Sequence, residues 1–541
     1  MTVRWPTLRP WLLRLGVLAA ALGLWQGLSA AGVIRADEFP SMTQTASALW
    51  DQASTATLWI AIGQTLEGWA IGLAIGTAAA LAVGTLIALN QFAYRSVIGV
   101  IEFFKAIPVI AILPIGLVLW GATLTMKFAL VAFAVFWPLV IQVCYGVRSI
   151  DPVVRDTATV LRLRGPRRFV TVTVPSAAPY VATGLRVAAA VALVVAIITE
   201  LIGGGTGIGE RILLAENAGP AAYPVMYAYI VVAGVLGVLL AGAFTVAERY
   251  ALHWHESQRV AVDLYPERTL VTAVAVLSPA GPLPQANGAG ADPGLAVRRL
   301  VPRLVAMVDG SKSLYFPPLS SILKAVWDQW VTGPARAELS SSLEHLLVGY
   351  GIAAVAGIGL GAALWSLRYA REATAPYLYF LYVLPAPVLV PAALTLFGIG
   401  FTMKVVLIAF AALWPTLLNT LDGMRSVDAV KLDTSKVLGL SRTRNVFQVV
   451  MPAAAPQIVA GLRNSLQVAI ILMVVSEWEA SSDGIGYYLS NAQQSFDYTG
   501  MWSGIIVLAI IGIVANLLFV AAENRVLRWH YGQRAVEGVS R

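Results

Sequence analysis

The sequence predicts an all-α polytopic membrane protein made of two tandem copies of one helical unit, and three observations carry that prediction. Of the 541 residues 58% are hydrophobic and only 12% charged, with a mean hydropathy of +0.75. Soluble domains carry about 25% charged residues, so this inventory cannot build a water-exposed surface. The chain also contains nearly charge-free runs at 13–34, 68–89, 128–147, 187–202, 226–247, 404–421 and 501–522. Several of them reach the ~20 residues a helix needs to cross ~30 Å of hydrocarbon, and interruption by Gly and Pro is tolerated in such helices. Third, the chain repeats itself. RSIDPVVRDTATVLRLRG, from Arg148, and RSVDAVKLDTSKVLGLSR, from Arg425, agree at nine of eighteen positions and lie 277 residues apart.

The same 277-residue offset aligns Phe39-Pro40 with Phe316-Pro317, Trp50-Asp51-Gln52 with Trp327-Asp328-Gln329, and Leu66-Glu67 with Leu343-Glu344. It continues through Met126-Lys127 and Met403-Lys404, Trp137-Pro138 and Trp414-Pro415, Gly184-Leu185-Arg186 and Gly461-Leu462-Arg463. Glu200 then matches Glu477, and Gly207-Ile208-Gly209 matches Gly484-Ile485-Gly486. A duplicated unit of this size divides the chain into a first unit at 1–255, a linker at 256–313 and a second unit at 314–541. Copies sharing one orientation predict a pseudo-two-fold axis along the membrane normal.

Charge sets the orientation. Arg148, Arg155, Arg162, Arg164, Arg167 and Arg168, like Arg425, Lys431, Lys436, Arg442 and Arg444 in the second copy, mark their loops as cytoplasmic. In the first copy helices are expected near 11–33, 56–90, 97–119, 126–147, 178–202 and 223–248, with the loops near 35–55 and 203–222 outside. The second copy repeats helices two to six between 342 and 523, giving about 11–12 transmembrane helices in all. Its first helix falls on a poor segment holding Arg298, Arg299, Pro302 and Arg303, yet something between 256 and 340 has to cross; 269–277 and 295–308 are the candidates. Residues 278–294 read as linker by composition. The N-terminal run behind Arg4, Arg9 and Arg14 also fits a signal peptide, but the topology requires it as a first transmembrane helix.

Composition excludes several functions. The net charge of +8 follows from the positive-inside rule and gives no reason to expect nucleic acid. A single cysteine, Cys144, rules out a disulfide framework or a cysteine-based metal site. No GxxxxGK[ST] sequence occurs, so ATP hydrolysis is not expected, and the four histidines form no HExxH pattern. No catalytic residue, metal site or cofactor is expected.

The repeated charged stretch is about 25 residues long, longer than most connections, and its polarity is helical: Val153, Val160 and Leu161 share a face with Asp156 and the arginines displaced from it. In the second copy Gly439 offers a left-handed helix stop. A short helix, a turn and a second helix make a knob suited to docking a soluble partner. The pattern Asp-Thr-(Ala/Ser)-x-x-Leu-Gly, with a proline some thirteen residues beyond, resembles the EAA loop of binding-protein-dependent ABC importer permeases. The Phe-Pro pairs, the Trp-Pro pairs and Glu200 followed by Gly-Ile-Gly are similar to the nitrate/sulfonate/taurine branch.

The resemblance covers nearly the whole chain twice and implies tandem type I importer permease units. It implies a lipid membrane setting in the bacterial cytoplasmic (inner) membrane. The implied partners are two copies of an ATP-hydrolysing subunit, an external solute-binding protein and a small-molecule substrate. Sulfonates, nitrate, taurine, aromatic acids and pyrimidine precursors all suit the branch. By resemblance Asp156, Thr157 and Ala158, with Asp433, Thr434 and Ser435, occupy the ATPase-coupling positions. Two departures stand out: Asp replaces the usual Glu in both copies, and Arg162 stands where Gly439 stands in the second, with Gly165 three residues on. An Arg at positive φ is uncommon, so the first turn is expected to be reshaped and the two docking sites unequal. A secondary transporter with parallel repeats and an export permease are the alternative readings.

Ionisable residues inside membrane helices point to function. Glu200 and Glu477 end helix five on the outer side, and Lys127 and Lys404 begin helix four there. The expectation is that Lys127 pairs with Glu200 and Lys404 with Glu477 at the outer mouth of a pathway, against the alternative that all four snorkel to the interface. Glu67 and Glu344 are packing-satisfied or pore-facing, and Pro108, Pro114, Pro385 and Pro391 disturb helix three of each copy.

Overall fold

The structure is a computed structural model that describes residues 8–32, 35, 37–106, 108–253, 315–479 and 481–529. The linker and the candidate crossing segments at 269–277 and 295–308 lie outside the described residues. Among those described, every regular element is helical. After α1 (Leu8–Ala30) the first unit runs α2 (Met42–Ala53), α3 (Ala56–Leu89), α4 (Gln91–Ala106), α5 (Leu113–Trp120), α6 (Leu124–Arg148) and α7 (Pro152–Val160). It continues with α8 (Gly165–Leu201), α9 (Ile208–Asn217) and α10 (Tyr223–Ala251). The second unit repeats this order as α11 (Leu319–Ala325), α12 (Ala335–Ser366), α13 (Arg368–Val383), α14 (Val390–Phe397) and α15 (Phe401–Arg425). It closes with α16 (Ala429–Val437), α17 (Arg442–Glu479), α18 (Ile485–Gln494) and α19 (Tyr498–Val526).

Nine described helices are long and apolar enough to span a membrane, or ten with the bent pair α13–α14 taken as one span. The expected single helix at 97–119 is not formed. Pro108, which lacks an N–H, ends the ladder, and a 3₁₀ turn (Val109–Ile112) separates α4 from α5. At the equivalent place Pro385 precedes the 3₁₀ turn Ala386–Leu389, and the two pieces of the span meet at 89°. Pro114 and Pro391 sit in the first turn of α5 and α14, where a missing donor costs nothing. The long α8 and α17 each carry a π turn after their first α-helical turn, Phe169–Thr173 and Val446–Val450, just ahead of Pro175 and Pro452. A proline cannot donate to the carbonyl four residues back, so the ladder widens there.

Within each unit α3, α6 and α8 (or α12, α15 and α17) pack side by side. Hydrocarbon offers no hydrophobic drive for this, so close backbone approach has to supply the attraction. The sequence provides it as a stripe of small residues every fourth position on α3: Gly68, Gly72, Gly76, Ala80, Gly84 and Ala88, all buried. A Cβ on Gly72 would lie 2.6 Å from the Val131 side chain and one on Gly76 2.7 Å from the Ala132 carbonyl. On α12 the stripe reads His345, Gly349, Ala353, Gly357 and Gly361, so only its outermost place is filled by a large side chain.

The units are interlocked. The 3₁₀ turn Ala386–Leu389 packs on α8, and its counterpart Val109–Ile112 packs on α17. Helix α10 lies against α13, with Gly234 and Gly237 giving room to Phe380 and Val383. The N-terminal α1 also crosses over: the Tyr377 hydroxyl of α13 donates to the Arg14 carbonyl at 2.6 Å.

The stripe yields a prediction. Gly76→Val is expected to destabilise the detergent-solubilised chain by about 1–3 kcal/mol through overpacking, whereas Gly63→Val, on the same helix with nothing within 4 Å, carries only the propensity change. Thermal unfolding followed by size-exclusion chromatography compares them; equal shifts would refute close α3–α6 packing.

Candidate functional site

The outer end of each unit is organised around one carboxylate. In the first unit Glu200 of α8 is fully buried. Its Oε1 lies 2.8 Å from the Lys127 Nζ of α6, and its Oε2 accepts from Thr65 Oγ1 of α3 at 2.9 Å and from the Gly209 N–H of α9 at 3.0 Å. Thr65 Oγ1 in turn accepts from the Ile208 N–H at 3.0 Å. Lys127 spends its remaining N–H bonds on the carbonyls of Gln64 (3.2 Å) and Thr206 (2.5 Å). An ion pair withdrawn from water is tolerable only when its other hydrogen-bonding positions are filled, and here they are. Glycine is required around it: a Cβ at Gly207, where φ is +149°, would meet the Glu200 carboxyl at 2.3 Å, and one at Gly68 would meet Lys127 Cδ at 2.2 Å.

The second unit keeps the acceptor half of this arrangement. Glu477 is fully buried, and its Oε2 accepts from Ser342 Oγ at 2.7 Å and the Gly486 N–H at 3.1 Å, while the Ile485 N–H donates to Ser342 Oγ at 2.8 Å. The cation half differs. The expected pairing of Lys404 with Glu477 is not formed, because His345 stands where the first unit has Gly68. Its imidazole Nδ1 lies 3.1 Å from Glu477 Oε1 and fills the space that the Lys127 chain crosses in the other copy. Lys404 is turned to Asp483, which stands where the first unit has Thr206, and forms an ion pair with its Oδ1. Asp483 Oδ2 also accepts from Ser341 Oγ at 2.6 Å. Partial burial opposes ionisation of Asp483, yet the hydrogen bonds from Lys404 and Ser341 and the Lys404 charge hold its carboxyl below the usual aspartate range.

Lys127, Glu200, Lys404 and Glu477 are therefore enclosed inside their own units, each at most 2% exposed. None snorkels: they clamp the short outer helix of each unit to its three packed spans. Glu67 and Glu344 are exposed on α3 and α12. Sequence reading missed Thr65, Ser342, His345 and Asp483. The signal was available, since the 277-residue alignment sets Gly68 against His345 and Thr206 against Asp483, two differences at one place.

The two charged knobs are α7 and α16 with the turns behind them. Asp151 caps α7 by accepting from the Val153 N–H at 2.7 Å, and Asp428 caps α16 through Val430 at 2.9 Å. Thr157 and Thr434 each donate back to the carbonyl four residues earlier, Val153 and Val430. Ala158 and Ser435 are the buried residues of these helices, while Asp156 and Asp433 are exposed, the latter 2.8 Å from Lys436. The turns are alike. Arg162 has φ +55° and Gly439 φ +66°. Leu163 N–H donates to the Ala158 carbonyl at 3.0 Å, as Leu440 does to Ser435 at 3.1 Å. The expectation of a reshaped first turn is thus overturned: Arg162 adopts the left-handed conformation itself, its side chain exposed where nothing obstructs it. Gly165 is left-handed as well, at φ +52°, where it opens α8.

Both knobs present apolar side chains outward. Val153, Val160 (81% exposed) and Leu161 do so on the first, Val430, Val437 (87%) and Leu438 on the second. Behind each, the following helix runs unbroken through the π turn to the buried carboxylate.

The family model described as "Binding-protein-dependent transport system inner membrane component" matches residues 72–249 and again 354–528. The chain is 29% identical over 199 residues to a putative aliphatic sulfonates transport permease protein of Bacillus subtilis, covering 37% of this chain and 72% of that one. To the taurine transport system permease protein of Escherichia coli it is 29% identical over 243 residues, 44% of this chain and 88% of the relative. The nitrate import permease protein of Synechocystis sp. matches at 28% over 190 residues, 35% and 69% respectively. Each match covers less than half of this chain, as expected for a duplicated unit.

Two predictions follow from the geometry. Removing one partner of a buried pair leaves the other charge uncompensated, at about 3–5 kcal/mol. Lys127→Met and Glu200→Gln should each lower the unfolding temperature more than the double variant does; strictly additive losses would contradict the pairing. Arg162→Gly should raise stability by about 1 kcal/mol, because glycine adopts the left-handed conformation without a Cβ conflict; a loss would show that the Arg162 side chain is needed.

Proposed function

The chain belongs to the family of binding-protein-dependent transport system inner membrane components, and on that premise we propose that its two units together form the complete translocation path of an ATP-driven importer. Two copies of one separate ATPase subunit grip the knobs α7 and α16, and a solute-binding protein delivers cargo to the outer loops. The cargo is a small anion of the kind the relatives are named for, such as a sulfonate, taurine or nitrate. The setting is the bacterial cytoplasmic membrane.

One observation carries this reading: the chain holds two knobs of the same build, each capped by an aspartate, closed by a left-handed turn and tipped with exposed valine and leucine. A solvated connector has no use for an exposed apolar tip, whereas a groove on a partner would bury it, at roughly 1.5–3 kcal/mol per side chain. The likeness of the two turns supports two copies of the same partner. ATP binding that draws the partners together would then draw the knobs together, and the units, rigid along α8 and α17, would tilt about the interlocked broken helices. Nucleotide drives this only by binding the closed arrangement better than the open one.

The test is co-purification with the ATPase from the native membrane. Val160→Asp and Val437→Asp should each weaken retention of the ATPase by tenfold or more, and the pair should abolish it, with the chain still inserted and monodisperse. Asp433→Lys should abolish uptake in the same background. Undiminished ATPase retention by the double valine variant would overturn the docking role.

A further inference from the structure

The long fifth span carries different chemistry in the two units at one depth. On α17 the sequence Arg463-Asn464-Ser465-Leu466-Gln467 stands where α8 has Arg186-Val187-Ala188-Ala189-Ala190. Gln467 lies ten residues before Glu477, roughly 15 Å below the outer clamp at 1.5 Å per residue, and so at membrane depth. Gln467 and Ala190 are both exposed. An amide at that depth is tolerated where it faces a watery space rather than lipid tails.

Packing fixes the direction of that face. Gly461 and Ser465 are turned to α15: a Cβ on Gly461 would lie 2.5 Å from Asn419 Cβ, and Ser465 Oγ is 2.6 Å from Thr416 Oγ1. At about 100° per residue, Gln467 falls on the opposite side of the helix. The flanks are occupied too. Tyr350 of α12 donates its hydroxyl to the Leu462 carbonyl at 3.0 Å, and Asn516 of α19 accepts from Arg463. The 3₁₀ turns of both units also rest on α17. With spans of its own unit on three sides and the broken helix of the other unit against it, α17 turns its exposed face into the space between the units.

The arginines of the two spans are not equally compensated. Arg186 Nη2 lies 2.9 Å from Glu248 Oε2 and 3.2 Å from its Oε1, a close ion pair. Arg463 instead donates through Nε and Nη2 to the neutral Asn516 Oδ1 at 3.2 and 3.1 Å, and its carboxylate neighbour Glu523 stays 3.8 Å from Nη1. Its side chain is 26% exposed, against 12% for Arg186. Next to it the Asn464 Nδ2 is buried with no hydrogen-bond partner among the described residues, a donor whose desolvation is not offset within the protein.

We propose that Arg463, Asn464 and Gln467 form an anion-contacting station on the second unit's wall of the passage, where one guanidinium and two amides offer N–H donors to the oxygens of a small oxyanion. Such an ion accepts hydrogen bonds without donating any, which suits a donor set of this kind. The first unit contributes apolar side chains and a cancelled charge at the matching positions. That the anion is the transported cargo rests on the importer reading; the contact itself does not.

The test needs neither ATPase nor binding protein. Gln467→Cys, in full-length chain with the buried Cys144 replaced by alanine, is labelled in lipid nanodiscs with two methanethiosulfonate reagents of similar size, one ending in a sulfonate and one in a trimethylammonium. Mass spectrometry of the intact chain gives the two rates. A thiol facing lipid is closed to both charged reagents, so reaction at Gln467→Cys is expected, with the sulfonate reagent favoured. Adding Arg463→Gln should lower the sulfonate-to-ammonium rate ratio about tenfold, and Arg463→Lys should preserve it. Asn516→Asp, which gives Arg463 the close carboxylate that Arg186 already has, should lower the ratio as Arg463→Gln does, and it serves where that variant fails to fold. A thiol at 467 that reacts with neither reagent, or a ratio unaltered by both Arg463→Gln and Asn516→Asp, overturns the proposal. Either result leaves the ATPase-retention test of the importer reading untouched, so the two fail separately.

Discussion

A fully buried carboxylate near the outer end of the long fifth span, Glu200 in one unit and Glu477 in the other, is the constraint around which each unit is arranged. Such a group needs donors, and they come from other pieces of chain: a hydroxyl on the second span, a basic group from the fourth span in one unit and the second in the other, and a backbone N–H in the first turn of the short outer helix. Those demands account for features that otherwise look unrelated. The Gly-Ile-Gly sequences are there because a Cβ at Gly207 or Gly484 would strike the carboxyl, and one at Gly209 or Gly486 would strike the carbonyl of Ile197 or Val474. The small-residue stripes on α3 and α12 bring the spans near enough for one carboxylate to reach all of them.

The same constraint explains how the duplicated units have diverged without losing their fold. The acceptor side of each clamp is nearly identical, Thr65 being replaced by Ser342 with its hydroxyl in the same role. The cation side has two solutions: Gly68 leaves room for Lys127 to reach Glu200, whereas His345 fills that space in the second unit and Lys404 pairs with Asp483 instead. Between the units the broken third helices form a shared seam, each 3₁₀ turn packing on the long span of its own unit and on that of the other. Such packing makes the pair one mechanical object, with knobs at the inner end and clamps at the outer end of the same two helices.

Much of this was legible in the sequence, and the exceptions have physical reasons. Composition and run length gave the helical membrane class, and the constant offset gave the two units, because a duplication is visible wherever both copies remain under the same constraints. The family membership rests on matches in both copies. The meeting of Lys127 with Glu200 could be anticipated, since two charges at the same depth in hydrocarbon have few other partners. The corresponding Lys404 pair could not be inferred by analogy, because one imidazole decides it and analogy assumes the copies are equal. The break at Pro108 and Pro385 was read as a disturbance within a helix, whereas the stretch from 91 to 120 is two helices and a 3₁₀ turn. A proline signals that the ladder is interrupted but not how far the chain turns. The left-handed Arg162 ran against residue preference, and the repeated hydrogen bonds of the turn prevailed over it.

The account stands most directly on whether the knobs move under nucleotide control. Spin labels at Thr159→Cys and Lys436→Cys, both exposed, with the buried Cys144 replaced by alanine, report the distance between them in the complex with its ATPase in lipid. The distance should shorten when a non-hydrolysable ATP analogue is added, return to its nucleotide-free value once ATP given in its place has been hydrolysed, and stay constant in the chain alone with or without nucleotide. A distance that is unaltered by nucleotide in an ATPase-bound complex, with uptake intact, would contradict it.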